Sequence, residues 1–300
     1  MGYAVIVQYG DMDMKILIRS EGGHRIGMGH VMRMLVLANA IREFADVEFA
    51  CREDEEFQPG IKHIESCGYT VHKIDGENVV GELARIGGSC LITDSYEVDE
   101  EYFDRTGDIF PVTGYMDDLN RHRINVDFII NQNVYAGDLR YRTDKRTELF
   151  LGTKYVLLRD EFQKLPKRNT KKEIRNVLIT LGGSDPKNLT GEIALKLSRA
   201  FPGVIFHVVV GLSFSNIDDV KKIAGGNIYI HINPKMSELM LKCDAAISAC
   251  GSTVYELCAC GTPVIGVVTA DNQEMAAENL DSIGVLKLAG ETDEIIGHLN

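Results

Sequence analysis

Seven consecutive residues, Gly27-Met28-Gly29-His30-Val31-Met32-Arg33, combine two glycines, an imidazole and a guanidinium. They follow a strand-like run, Lys15-Ile16-Leu17-Ile18-Arg19. They open a helix-like run, Val31 to Phe44, with Leu35, Ala38 and Ile41 at helical spacing. Gly27 and Gly29 let the backbone turn tightly and approach a ligand. The helix start that follows offers unpaired N–H groups and the positive end of its dipole, which attract phosphate. His30 can take or give a proton near neutral pH. One loop can therefore supply an anion site and an acid–base group together. The bland alternative makes His30 a satisfied helix-start histidine. Arg33, one turn on, serves phosphate or pairs with an acidic neighbour.

Other candidates also fall just after strand-like runs. Gly182-Gly183-Ser184-Asp185 is one such turn, although an ordinary strand-to-helix turn reads the same way. Cys250-Gly251-Ser252-Thr253 repeats the glycine logic, with Ser252 placed to cap the next helix and its start placed to receive a diphosphate. Glu256, one turn into that helix, can accept hydrogen bonds from vicinal ribose hydroxyls; otherwise it is a surface glutamate or a capping partner of Thr253. Thr269-Ala270-Asp271-Asn272-Gln273 is a third such loop, with Asn272 and Gln273 as its binding candidates. In the first half, Asp94-Ser95-Tyr96 and Asp117-Asp118 end two more strands. Asp94 can orient a sugar or assist His30, with Tyr96 beside it. Asp117 and Asp118 cap a turn or, in a rival reading, share a metal whose third ligand the spacing does not identify.

Alternating strand-like and helix-like segments must position these groups. Strands are expected near 15–19, 47–51, 70–74, 89–93, 110–115 and 127–130, and helices near 30–44, 59–67, 79–87 and 99–106. After a break at Leu165 to Arg175 the alternation restarts, with strands at 176–181, 204–210, 227–231, 244–249 and 263–268. Its helices are expected at 189–200, 235–242, 252–259, 273–283 and 291–298. Repeated βα units with short connections imply parallel sheets covered by helices. The fold class expected is α/β: two Rossmann-like domains facing a cleft, 14–165 and 166–300. Residues 1–13 precede the first clear strand. Tyr3-Ala4-Val5-Ile6-Val7 adds an edge strand there, or the segment is foreign to the fold. The chain stops soon after 291–298, so the pattern allows for a shortened C-terminus.

The balance of 32 Lys+Arg against 44 Asp+Glu gives a net charge of −12 and no concentrated basic face, which argues against a nucleic-acid partner. The densest basic group, Lys164, Lys167, Arg168, Lys171, Lys172 and Arg175, reads as a solvated linker. Seven cysteines without a signal peptide suit free thiols in a reducing cytosol. Cys243, Cys250, Cys258 and Cys260 lack C-x-x-C spacing and read as small apolar side chains rather than zinc ligands. No apolar run is long enough to span a bilayer, and Val79, Val80 and Leu83 are too few for a membrane-docking patch. Oligomeric state is open.

Ile26 to Arg33 with Leu35-Val36-Leu37-Ala38 resembles the N-terminal signature of the pseudaminic-acid-pathway UDP-sugar hydrolases and the related spore-coat polysaccharide biosynthesis proteins. Asp117-Asp118-Leu119, Leu157-Leu158-Arg159-Asp160-Glu161-Phe162, Leu181-Gly182-Gly183-Ser184-Asp185-Pro186 and Asp271-Asn272-Gln273 also match. More distantly, Gly251-Ser252-Thr253-Val254-Tyr255-Glu256-Leu257, Gly261-Thr262-Pro263 and Asn272-Gln273 resemble the peptidoglycan N-acetylglucosaminyltransferase. The resemblance implies the glycosyltransferase-B architecture, a nucleotide held by the C-terminal domain, ribose bound by Glu256, His30 at the reacting centre, and no metal or cofactor. It implies a hydrolase that releases UDP and a modified amino sugar by inverting attack of water. The rivals are a glycosyltransferase with a UDP-sugar donor and a non-catalytic UDP-sugar-binding protein.

Overall fold

A computed structural model describes residues 14–144, 146–168, 173–185, 187–211, 213–214 and 216–300. The expected edge strand at Tyr3–Val7 lies outside them, as do Lys171, Lys172 and Pro186. The chain divides into two units. One takes in the described residues through Gly23 together with His30–Leu157; the other is His24–Gly29 with Leu158–Asn300.

The first unit is built on β1 (Lys15–Ser20), α1 (Gly29–Ile41), β2 (Asp46–Arg52), α2 (Gln58–Ser66), β3 (Thr70–Ile74), α3 (Val79–Ile86), β4 (Cys90–Asp94), α4 (Glu100–Ile109), β5 (Val112–Met116), β6 (Phe128–Asn131) and β7 (Glu148–Leu151). Among the described residues its strands number seven and are all parallel, in the order β3-β2-β1-β4-β5-β6-β7. β4 is buried along its whole length, as its unbroken apolar run requires of a strand covered on both faces. Leu17, Leu91, Ile129, Leu83 and Phe103 pack one side of the sheet. β7 was not anticipated, because this half-exposed edge strand carries neither a clean alternation nor a continuous apolar run.

The second unit repeats the plan with β8 (Asn176–Thr180), α5 (Leu189–Ala200), β9 (Ile205–Val210), α6 (Ile217–Lys222), β10 (Ile228–Ile232), α7 (Met236–Lys242), β11 (Ala245–Ala249), α8 (Thr253–Cys260), β12 (Val264–Val267), α9 (Glu274–Ser282), β13 (Leu286–Leu288) and α10 (Thr292–Leu299). Six parallel strands run β10-β9-β8-β11-β12-β13. Val177, Ile179, Phe206, Val208, Ile193 and Leu197 centre its core. The short α6 and β13 escaped the sequence pattern: α6 buries only Val220, and β13 spans three residues.

In each unit the chain winds outward from the first strand in one direction, then returns to add strands on the other side. The reversal falls between β1 and β4, and between β8 and β11. Carboxyl ends of strands at such a reversal form the crevice where α/β sheets bind ligands.

The basic stretch before β8 is not simply solvated. Arg168 is half-buried and donates to the Met240 carbonyl (3.1 Å), to Thr262 Oγ1 (2.9 Å) and to the Cys243 carbonyl. A cation on the last carbonyls of α7 satisfies acceptors that the helix cannot, and it meets the negative end of the helix dipole.

Candidate active site

In the first unit, β1 and β4 deliver the chemistry. The loop after β1 is held by backbone contact: Gly60 donates its N–H to the Gly22 carbonyl at 3.1 Å, and a Cβ at Gly60 would lie 2.5 Å from that oxygen. α1 then begins, with His30 and Arg33 on its first turn and both side chains buried. Asp94 ends β4 and is fully buried.

These side chains form one network. Arg33 grips Asp94 at two points, Nε to Oδ2 at 2.7 Å and Nη2 to Oδ1 at 2.6 Å, and its Nη1 reaches Asp118 at 2.9 Å. Asp118 also accepts from the Tyr96 hydroxyl (2.7 Å) and from Asn133 Nδ2 (2.8 Å). His30 Nδ1 lies 3.6 Å from Asp94 Oδ1, and the Tyr96 ring meets the imidazole edge-on at 4.6 Å between centroids. That distance exceeds a hydrogen bond but turns the Nδ1 edge toward the carboxylate. Nε2 is left as the nitrogen on the far side of the ring.

Electrostatics keep Arg33 and Asp118 charged. Burial opposes the Arg33 cation, but Asp118 and Asp94 outweigh it and hold its pKa well above the ordinary value. Burial likewise pushes Asp118 up, but Arg33, the Tyr96 hydroxyl, His30 and Asn133 together bring it below the usual carboxylate range. Of the two roles open to Arg33, the structure holds the acidic pairing. Its guanidinium is engaged by two aspartates.

Asp117 and Asp118 separate in function. Asp117 accepts from the Leu119 and Asn120 backbone N–H groups at 3.2 and 2.9 Å and from the Tyr141 hydroxyl at 2.7 Å, which is the turn-capping role. Burial raises its pKa. Among the described residues, no three His, Cys, Asp or Glu side chains group as metal ligands would.

In the second unit, Gly182-Gly183-Ser184 follows β8, Gly251-Ser252-Thr253 follows β11, and Asn272-Gln273 follows β12. Neighbouring strands therefore bring the three predicted loops to one end of one sheet. Gly182 sits at φ +100°, where L side chains are strained. The glycine segment His24–Gly29 packs in this unit: a Cβ on Gly183 would lie 2.8 Å from Met28 Cβ, and one on Gly27 would lie 3.5 Å from Ser184 Oγ. His24 Nδ1 is 2.9 Å from the Ser213 carbonyl. The first turn of α5 is already capped, since Asp185 accepts from Leu189 N and Thr190 N at 2.9 Å each.

One expectation needs correction, and the bland alternatives for Glu256 fall away. Ser252 does not cap α8: its backbone is helical (φ −57°, ψ −25°), and its hydroxyl makes no capping bond. A side-chain cap needs extended backbone at that position to turn the oxygen back onto the helix. Glu256 is neither a free surface carboxylate nor a capping partner of Thr253. It accepts from Arg159 Nε at 2.7 Å and from Nη2 at 2.9 Å. Burial raises its pKa against the pull of Arg159. Gln273 Oε1 takes the Thr269 N–H (3.0 Å) and hydroxyl (3.1 Å), which pins the loop that carries Asn272.

Sequence reasoning did not single out Asn133 or Arg159, because each acts through a partner far away in the chain. Arg159 lies in a matched motif, and that was its only signal. Cys243 and Cys250 are buried with thiols pushed up to about 12, as packing side chains rather than thiolates would be.

No protein-family model matches the chain. It is 31% identical over 269 residues to an uncharacterized protein of Methanocaldococcus jannaschii, covering 84% of this chain and 55% of that one. The chain thus spans only about half the length of that relative. It is 28% identical to the UDP-2,4-diacetamido-2,4,6-trideoxy-beta-L-altropyranose hydrolase of Campylobacter jejuni, covering 88% of this chain and 95% of that one. It is 26% identical to the spore coat polysaccharide biosynthesis protein SpsG of Bacillus subtilis, covering 90% and 82%. Among solved structures, Acinetobacter baumannii MurG superposes with a TM-score of 0.61 at 15% identity, covering 95% of this chain and 89% of that one. The calicheamicin glycosyltransferase CalG4 superposes at 0.59 and 13% identity, covering 96% and 89%. At those identities the likeness is one of fold. The chain is a sequence relative of pseudaminic-acid-pathway UDP-sugar hydrolases and spore-coat polysaccharide proteins, built as two Rossmann-like domains of the glycosyltransferase-B type.

Proposed function

We propose that the protein hydrolyses a UDP-linked amino sugar, releasing UDP and the free sugar, in surface-polysaccharide or nonulosonic-acid biosynthesis. The observation that carries this reading is His30: an imidazole on the first turn of α1 at the strand reversal, with Nδ1 turned toward a buried aspartate. In this mechanism Nε2 takes the proton of a water as it attacks the anomeric carbon opposite the leaving UDP. The C–O bond breaks as the new one forms, and the configuration inverts. Asp94 stabilises the imidazolium that results. Arg33 keeps Asp94 fixed through its two-point contact, and Tyr96 limits how the ring can turn.

The second unit takes the nucleotide. The turns at Gly182-Gly183-Ser184 and Gly251-Ser252-Thr253 bring backbone N–H groups to the diphosphate, and the start of α8 favours its charge. Glu256 receives the ribose hydroxyls. Asn272 lies on the loop after β12, which Gln273 braces. Gly27 and Gly29 let the preceding segment approach without side chains.

The relative from Campylobacter jejuni is named as a hydrolase of a UDP-sugar, which favours water as acceptor. The fold neighbours include glycosyltransferases, so a transferase is the second reading. Incubation with a panel of UDP-sugars, followed by NMR of UDP and free sugar, separates them. Rapid release without acceptor is expected. Release only with an added sugar acceptor indicates the transferase, and binding without turnover indicates a non-catalytic protein.

A further inference from the structure

We propose that Arg159 is a positioning residue for nucleotide selection: it holds the Glu256 carboxylate in one plane so that the two remaining acceptor sites meet a ribose 2′,3′-diol. The inference rests on the nucleotide reading of the second unit and extends it to a residue outside α8.

Arg159 contacts both Glu256 oxygens in parallel, Nε to Oε1 at 2.7 Å and Nη2 to Oε2 at 2.9 Å. An ionised carboxylate has about four acceptor positions, two on each oxygen. The guanidinium fork uses one on each and leaves one on each. A vicinal diol presents two O–H donors side by side, and the remaining acceptors match that pattern. A lone carboxylate on a helix can rotate about its last torsion. This one cannot rotate without breaking two charge-assisted bonds.

Arg159 is itself braced. Its Nη1 lies 2.9 Å from Glu161 Oε1, and Glu161 Oε2 accepts the Ser237 backbone N–H at 3.1 Å, at the start of α7. The Phe162 ring lies under the guanidinium at 5.0 Å. Both partners are largely withdrawn from solvent, with 28% of the Arg159 and 13% of the Glu256 side chain exposed, so the pair is less screened than a surface bridge. The pairing also neutralises Glu256. A bare carboxylate one turn into α8 would repel a diphosphate at the start of that helix. A guanidinium performs both tasks because its fork is planar, whereas an ammonium offers only a point charge.

The test is calorimetric titration of UDP and of 2′-deoxy-UDP into the wild type, Arg159→Ala, Arg159→Lys, Glu256→Ala and the Arg159→Ala/Glu256→Ala double variant. The wild type is expected to prefer UDP by about tenfold or more, the value of a lost charged hydrogen bond. Arg159→Ala is expected to reduce that preference nearly as far as Glu256→Ala does, and the double variant should reduce it no further. A merely structural arginine would weaken both nucleotides equally and leave their ratio unchanged. Arg159→Lys keeps the charge and so supplies a folded variant if alanine lowers solubility; it too should lose most of the preference. Wild-type discrimination in both Arg159 variants, alongside its loss in Glu256→Ala, overturns the role of Arg159 alone. Undiminished discrimination in Glu256→Ala overturns the ribose reading itself.

Discussion

Arg33 and Asp94 stand 61 residues apart in the chain yet form a two-point ion pair of 2.7 and 2.6 Å, with Asp94 fully buried. The pair ties the first turn of α1 to the end of β4, the two elements that flank the strand reversal. His30, three residues before Arg33, inherits its place from that tie.

Removing one partner leaves the other charged and buried. Asp94→Ala should therefore destabilise the first unit by about 3–5 kcal/mol, the usual cost of breaking a buried pair. Urea unfolding of the variant and the wild type measures it, and a loss under 1 kcal/mol would mean that Asp118 alone satisfies Arg33.

His30→Asn preserves size and polarity but cannot accept the proton. Turnover of a UDP-sugar should fall by at least about 10²-fold, the usual contribution of a general base, while UDP affinity changes little. Unaltered turnover in a folded variant removes His30 from the chemistry.

Gly211 lies behind the glycine turn of the second unit. A Cβ there would come within 2.5 Å of the Gly183 carbonyl oxygen and 2.7 Å of that of Gly182. Both are backbone atoms, so neither can swing aside. Gly211→Ala should cost about 1–3 kcal/mol in stability through overpacking and should weaken UDP binding by displacing the turn. Thermal unfolding and UDP titration together check this, and normal values in both would show that the turn has room to relax.

The second unit also carries an acid-sensitive pair. His207 Nδ1 lies 2.9 Å from His231 Nε2, and His207 Nε2 lies 3.1 Å from Asn176 Oδ1. Burial, with Lys242 and His231 nearby, lowers His207 from 6.5 to about 4. The folded state thus binds this proton more weakly than the unfolded state does. Its contribution is complete above about pH 6.5 and is lost as pH falls toward 4, by roughly 3 kcal/mol in all. Denaturant midpoints measured between pH 7 and pH 4 should fall less steeply in His207→Asn than in the wild type. Parallel slopes would refute the assignment.

Much of this architecture is legible from local pattern. The unbroken apolar run at Cys90–Thr93 specifies a doubly covered strand, and the helical spacing of Leu35, Ala38 and Ile41 specifies the helix that carries His30. Glycine turns after strands mark where the chain can approach a ligand, so Gly27, Gly182 and Gly251 are legible without any tertiary contact. Such signals are local because backbone geometry and burial period are set by neighbours in the chain. The edge strand Glu148–Leu151 and the short helix Ile217–Lys222 lacked them, since each buries too few side chains to impose a period.

The partners of charged side chains were decided only in three dimensions. Sequence left Arg33 open between phosphate and carboxylate, Glu256 between ribose and surface, and Ser252 as a cap. The fold places two aspartates on Arg33, an arginine on Glu256, and helical backbone under Ser252. A charge pairs with whatever the sheet order brings within about 3 Å, and sheet order follows from packing across the whole domain, which no window of residues contains.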